Sequence, residues 1–353
     1  MKPREAELFN LLEARLGKIR GLEVRVSETD AQLNRQAGVV DKVFVVRQGE
    51  LTTRLLVAVN SSGQPLPTAQ TIGMLKLAVV HPRGEYPVFL APQISDRAAE
   101  KCDLAGVGYL DLTGRCRLAF GSVYIEVGPG EPLPSESRGL RSLFTAKGTR
   151  AIRAMLSAPR KEWSVIELAK EAQISNGQAS NVKKALEEQL RLTMNEGQFR
   201  INEPEEVLRE WARQRAPAKD RRHGFYSLLA DDEVERRLVE VAGREDVRIA
   251  LRAFSAAERY APMVRGSQIS AYCEGPDGWM KRLAKGAELK SVTSGANVEL
   301  VEPADEGVFF GRREIEGLPV VCPVQAYVDV ARSKSRGEEA AEAILERVLR
   351  RTW

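Results

Sequence analysis

At roughly 150 residues per domain, the 353 residues make two to three domains, and 43% hydrophobic with 29% charged residues is the balance of a folded chain, not a disordered one. No apolar run approaches the ~18 residues of a membrane span, and the charged start from Lys2 to Glu7 lacks the apolar core of a signal peptide, so a cytoplasmic chain is expected. The net charge of +4 selects no partner, but residues 138–222 carry 18 Lys and Arg against 11 Asp and Glu, while residues 1–137 carry 16 against 16 and residues 223–353 carry 19 against 22.

The first third alternates helix and strand signals. Leu8, Leu11, Leu12 and Leu16 recur at helical spacing over residues 4–18. Short branched runs at 24–26, 39–46 and 51–59 read as strands, the last two joined by a hairpin turn at Gln48-Gly49-Glu50. A helix over 68–80, a strand over 87–90, a helix capped by Ser95 and a strand over 108–112 follow, with further strand over 116–127. The order implies a three-layer α/β domain over 1–134, closed by the Gly- and Pro-rich linker of residues 128–134.

Beyond the linker the pattern becomes three helices and a short hairpin. Ala151, Ile152, Met155 and Leu156 share one face of the first helix, which Pro159 ends. Ser164 and Glu167 stand at capping-box spacing before the second helix. A tight turn at Gln173-Ile174-Ser175 leads into a third helix over 176–188, with Ala179, Val182, Leu186 and Leu190 on one stripe. Strands at 192–194 and 199–201 then turn at Asn195-Glu196-Gly197-Gln198. This succession over 138–210 reads as a winged helix-turn-helix, whose third helix enters a DNA major groove.

That reading selects DNA-contacting residues. The stripe leaves Gly177, Ser180, Asn181 and Lys184 on the opposite face of the third helix, with Gln178 on its flank, and Asn176 is a further DNA-binding candidate. Asn can bond an adenine edge bidentately and Ser a base or a phosphate. Seven cations between Arg138 and Lys161, with no acid among them, suit a polyanion; Lys147, Arg150 and Arg153 on the first helix are the expected phosphate contacts. Gln198 and Arg200 on the wing are expected at the backbone or minor groove.

The remaining residues read as a mixed α/β domain over 223–353. Its elements are helices over 233–241 and 247–260, strands near 270–273 and 298–301, and an amphipathic helix over 338–349. Asp231-Asp232-Glu233 suits a helix N-terminus. Gly266-Ser267 resembles the start of a nucleotidyltransferase signature, but the strand Ile269-Ser270-Ala271-Tyr272-Cys273-Glu274 lacks the paired acids that should follow. Four scattered cysteines and two histidines, His81 and His223, show neither a metal-ligand spacing nor a disulfide framework, and no cofactor motif is readable.

The first domain invites a nuclease reading. Restriction-endonuclease-like folds hold Mg²⁺ with an Asp and with a second acid two positions before a Lys on the next strand. Asp41 fills the first place, but Ala58 and Asn60 stand where the acid and the Lys belong, so catalysis and a bound metal are not expected.

Taken in order, several loose motifs carry a family resemblance. They are Asp41 with the strand ending Val57-Ala58-Val59-Asn60, the run from Val88 through Pro92-Gln93-Ile94-Ser95 to Glu100, the segment Gly108-Tyr109-Leu110-Asp111-Leu112-Thr113-Gly114, the winged helix, Gln325-Ala326-Tyr327-Val328-Asp329-Val330, and Gly337-Glu338-Glu339-Ala340-Ala341. With them the chain resembles the AbiEi-type antitoxins of type IV toxin-antitoxin systems. The resemblance implies an α/β plus α+β multidomain fold: a degenerate restriction-endonuclease-like N-terminal domain, a central winged helix-turn-helix and a mixed α/β C-terminal domain. It further implies a regulator that binds double-stranded DNA at its own promoter and opposes a nucleotidyltransferase-like toxin. The competing readings are a divergent metal-dependent nuclease that presents DNA through its winged helix, and an interaction scaffold that binds no DNA.

Overall fold

A computed structural model describes residues 3–27, 40–131, 133, 143–214, 219–262, 268–331, 333 and 336–353. Arg138, Arg141, Gly266 and Ser267, which entered the reading above, lie outside the described residues. The chain forms two compact units, residues 1–140 with 185–190, and residues 141–184 with 191–353.

The first unit is built on a seven-stranded mixed sheet whose strands lie in chain order: β1 (Glu23–Val26), β2 (Lys42–Gln48), β3 (Leu51–Val59), β4 (Glu85–Ala91), β5 (Gly108–Asp111), β6 (Cys116–Phe120) and β7 (Val123–Val127). β3, β4 and β5 run parallel and the outer pairs antiparallel. The two parallel connections carry α2 (Pro65–Ala78) and α3 (Asp96–Ala105), as parallel crossovers require. Alternation along each strand makes two cores: Leu55, Val57, Val88, Leu90 and Leu110 cluster with Leu8, Leu12 and Leu16 of α1 (Pro3–Gly17). Leu56, Ala58, Phe89 and Tyr109 cluster with Ile72 and Leu75 of α2 and Ala98 and Cys102 of α3. The three layers expected from the sequence are therefore present.

Asp111 explains one quoted motif. Its buried carboxylate accepts from the backbone N–H groups of Ile94, Thr113 and Arg115, at 2.9, 2.9 and 3.1 Å, and from the Thr113 hydroxyl at 2.6 Å. It ties the loop after β4 to the turn after β5.

In the second unit, α4 (Ala146–Ser157), α5 (Val165–Glu171), α6 (Asn176–Glu188), β8 (Leu192–Asn195) and β9 (Gln198–Ile201) follow in the order read from the sequence; residues 185–190 of this stretch group with the first unit. α7 (Pro204–Gln214) leads to a second seven-stranded sheet of β10 (Arg221–Tyr226), β11 (Arg248–Leu251), β12 (Ile269–Glu274), β13 (Lys290–Ser291), β14 (Val298–Glu302), β15 (Arg313–Ile315) and β16 (Leu318–Val320). They lie in the order β13-β10-β14-β12-β11-β16-β15. With them are α8 (Asp231–Arg244), α9 (Ala253–Tyr260), α10 (Trp279–Gly286), α11 (Pro323–Val330) and α12 (Gly337–Ile344), the last continuing through a π-helical turn at Leu345–Leu349. The acids Asp231, Asp232 and Glu233 occupy the first turn of α8, as the helix dipole favours.

One expected element needs correction. Residues 247–260 do not form one helix: Ile249, Ala250 and Leu251 are buried in β11 between β12 and β16, and α9 begins only at Ala253, whose φ is 48°. A short apolar run has the same composition in a central strand as in a helix, and its sheet neighbours decide. All four cysteines are free and buried.

α11 is the hub of this unit. Each of its eight residues is buried, and it packs against α4, α7, α9 and α12. The approach to α12 is tight at Gly337, where a Cβ would stand 2.2 Å from the Val330 carbonyl oxygen. Gln325 and Asp329, two polar residues of the quoted C-terminal motif, bond inside the unit: Gln325 donates to Asp329 Oδ1 at 2.8 Å, the Tyr272 hydroxyl donates to the same oxygen at 2.9 Å, and Arg252 Nε stands 3.5 Å from Oδ2.

Candidate nucleic-acid interface

Caps set the three helices of residues 145–188. Thr145 accepts from the Gly148 N–H at 3.2 Å at the start of α4. At α5 the expected capping box is complete: the Glu167 N–H donates to the Ser164 hydroxyl, and the Ser164 N–H donates to the Glu167 carboxylate. The turn into α6 is sharp, with Gln173 at φ 53°, and it ends in a second box. Here the Gln178 N–H donates to the Ser175 hydroxyl at 3.2 Å and the Ser175 N–H to the Gln178 carbonyl oxygen at 3.1 Å. The Ser-x-x-Gln spacing was visible in the sequence; it gives Gln178 a positioning duty at the helix start, where only a base reader was expected.

α6 divides as its periodicity implies. Ala179, Val182 and Leu186 are buried, whereas Asn176, Gly177, Gln178, Ser180, Asn181 and Lys184 are exposed. Next in the chain, β8 and β9 pair antiparallel through a two-residue turn, with Glu196 at φ 44° and Gly197 at φ 86°. Positive φ at both central residues makes the type I′ geometry that tight hairpins favour. Trp163 extends this hairpin by an antiparallel bridge, since its N–H donates to the Phe199 carbonyl at 2.8 Å and its carbonyl accepts the Phe199 N–H at 2.9 Å. Phe199 and Ile201 point inward, leaving Gln198 and Arg200 exposed.

The first helix departs from the expectation. Lys147 is exposed, with its ammonium 3.8 Å from Asp305, but Arg150 and Arg153 are buried. Arg150 forks onto Asp305, Nε to Oδ1 at 2.7 Å and Nη2 to Oδ2 at 2.9 Å, and reaches Glu306 at 3.2 Å. Arg153 donates from Nε and Nη2 to Gln325 Oε1 at 3.1 and 2.8 Å and lies over the Trp211 ring. These two arginines are therefore corrected from phosphate contacts to interior anchors. The acids that answer Arg150 stand 155 and 156 positions away, so a local charge count could not find them. Burial pushes the Asp305 carboxyl up, but Arg150, the Gly307 N–H and Lys147 outweigh it and hold the group below its ordinary value of 3.8.

At the position compared with a nuclease metal site in the sequence, Asp41 spends one carboxylate oxygen on the Val59 N–H at 2.7 Å, and burial pushes its pKa up. Ala58 is packed into the core and the Asn60 amide donates to Thr71 at 3.2 Å. Among the described residues no group of three or more His, Cys, Asp or Glu could hold a metal ion. Among them, too, no helix is long and apolar enough to cross a membrane.

Fold and site together define a mixed α/β multidomain protein with an exposed polar helix face beside a short hairpin. Residues 200–350 match the family model of a transcriptional regulator, the AbiEi antitoxin of type IV toxin-antitoxin systems, and over this span the resemblance drawn from the sequence holds. That family is one of regulators. No curated protein and no solved structure matched the chain.

Proposed function

We propose that this protein is a sequence-specific DNA-binding transcriptional regulator, an AbiEi-like antitoxin that represses its own operon and opposes a nucleotidyltransferase-like toxin. One observation carries the DNA reading: α6 exposes a continuous polar face of Asn176, Gln178, Ser180, Asn181 and Lys184 opposite its buried stripe, next to a hairpin that exposes Gln198 and Arg200. That is the disposition of a winged helix-turn-helix, in which Asn181 and Ser180 read base edges while Lys184, Lys147 and Arg200 meet phosphates. The labour divides among a restriction-endonuclease-like domain over 1–134 without catalytic activity, the winged helix over 138–210, and a regulatory α/β domain over 223–353.

The experiment is a titration of the full chain with a duplex from upstream of its own gene against a scrambled duplex of equal length and composition. At physiological salt the upstream duplex should bind at least about a thousandfold more tightly, the lower end of the ratio for specific DNA-binding proteins. Equal affinity for the two would remove the sequence-specific reading.

A further inference from the structure

The sheet of the first unit ends at β7, and among the described residues no strand lies beyond it. A free strand edge is a row of N–H and C=O groups that can pair with another chain. Which groups face outward follows from the hairpin. β6 and β7 are joined by the two-residue turn Gly121-Ser122, with Gly121 at φ 54°, so Phe120 with Val123, Leu118 with Ile125 and Cys116 with Val127 are the hydrogen-bonded pairs. In the intervening pairs, Ala119 with Tyr124 and Arg117 with Glu126, the backbone groups point away from each other. The Ala119 N–H does so: it donates to the hydroxyl of Tyr86, a β4 residue, at 3.0 Å. Tyr124 and Glu126 therefore turn their N–H and C=O to the free edge.

The side chains divide by face. Val123 is buried and Ile125 partly buried in the core shared with α1, while Val127, next on that face, is 39% exposed. On the other face Tyr124 is 63% exposed, and its hydroxyl donates to the Glu126 carboxylate. These residues complement themselves. Antiparallel pairing of β7 with a second β7 must set outward groups against outward groups, which allows a two-fold axis at Tyr124, Ile125 or Glu126. An axis at Glu126 opposes two carboxylates, and one at Tyr124 sets Glu126 against the turn residue Ser122. An axis at Ile125 engages the whole strand: each Tyr124 faces the partner's Glu126, and each Val127 faces the partner's Val123.

We propose that the β7 edge pairs with the β7 edge of a second copy of this chain, antiparallel about a two-fold axis at Ile125, joining two first units into one continuous sheet. Each Tyr124 exchanges both of its backbone hydrogen bonds with the partner's Glu126, and the exposed Val127 is covered. The pairing uses the same edge of both copies, so it closes at the dimer. It is independent of whether α6 reads DNA.

Sedimentation velocity of the full chain from about 1 to about 200 µM tests the proposal, because a single strand pair is a small interface and micromolar association is expected of it. Monomer should give way to dimer and to nothing larger. Over the same range hydrogen exchange should slow at the Tyr124 and Glu126 amides and stay unchanged at the Ile125 amide, which is already bonded to β6. Glu126→Pro removes only an outward N–H, as edge strands tolerate, so it should keep the melting temperature and weaken association about tenfold. Tyr124→Glu, at an exposed position, sets carboxylate against carboxylate and should weaken association about fivefold. Adding Glu126→Lys to Tyr124→Glu restores opposite charges across the axis and should return association to the parent's level. This charge exchange carries the test if Glu126→Pro fails to fold. A chain that stays monomeric, species larger than the dimer, parent-like association in folded Glu126→Pro or Tyr124→Glu, or no rescue by Glu126→Lys would each overturn the proposal.

Discussion

Helices α4 and α6 send similar signals along the chain and meet opposite fates. α4 carries Lys147, Arg150 and Arg153 without an acid, and α6 carries a polar face with Lys184, so both look built for a polyanion. In the folded chain α6 keeps its polar residues exposed, while α4 turns its two arginines into an interior where Asp305, Glu306 and Gln325 receive them. Charge density along a sequence thus gives the sign of a surface only where no distant partner claims the charge. Burying a guanidinium is costly unless it is paired and fully bonded, and the fork of Arg150 on Asp305 supplies that pairing.

The largest effect that sharpens this contrast is on stability. Arg150→Ala leaves Asp305 without its guanidinium in a mostly buried position, and should cost about 3–5 kcal/mol in chemical denaturation. The loss should depend on pH. The folded-state pKa of Asp305 lies below the ordinary value of 3.8, so its pairing stabilises fully above that value and fades as pH falls through the lower, folded one. The gap between parent and variant should therefore be complete at neutral pH and close in acid below 3.8. A variant as stable as the parent that binds DNA less tightly would return Arg150 to the DNA surface.

A smaller effect is expected from the exposed cations. Lys184→Gln should leave the melting temperature unchanged, weaken binding to upstream and scrambled duplexes alike, and flatten the log-log salt dependence by about one unit. A loss confined to the upstream duplex would make Lys184 a base reader. Smallest is the capping residue: Gln178→Ala removes the acceptor for the Ser175 N–H and should cost about 0.5–1 kcal/mol of stability, read as a lowered denaturation midpoint. No change in that midpoint would mean that Gln178 is free for DNA.

Much of this contrast was legible in advance, for reasons that belong to particular residues. The stripe Ala179, Val182 and Leu186 announces which side of α6 is buried, and Ser164 with Glu167 announces the cap of α5, because both are local patterns within a turn or two of helix. The succession of helices and strands along the first unit was legible for the same reason, each element being bounded by its own turn; the order of the strands in the sheet was not read from the sequence. What failed was what depends on distant partners: Ile249 to Leu251 become a strand through β12 and β16, and Arg150 is neutralised by residues far along the chain. The Trp163 bridge to Phe199, which seats the hairpin, also had no signal in the sequence.

The central claim, that the exposed face of α6 reads bases, is tested most directly by Asn181→Ala in the full chain. Asn181 is exposed, so the variant should keep the parent's melting temperature. Fluorescence anisotropy should then show a loss of about 1–3 kcal/mol on the duplex upstream of the gene and little change on the scrambled duplex. A folded variant that binds the upstream duplex as tightly as the parent would contradict the assignment of α6 as the reading helix.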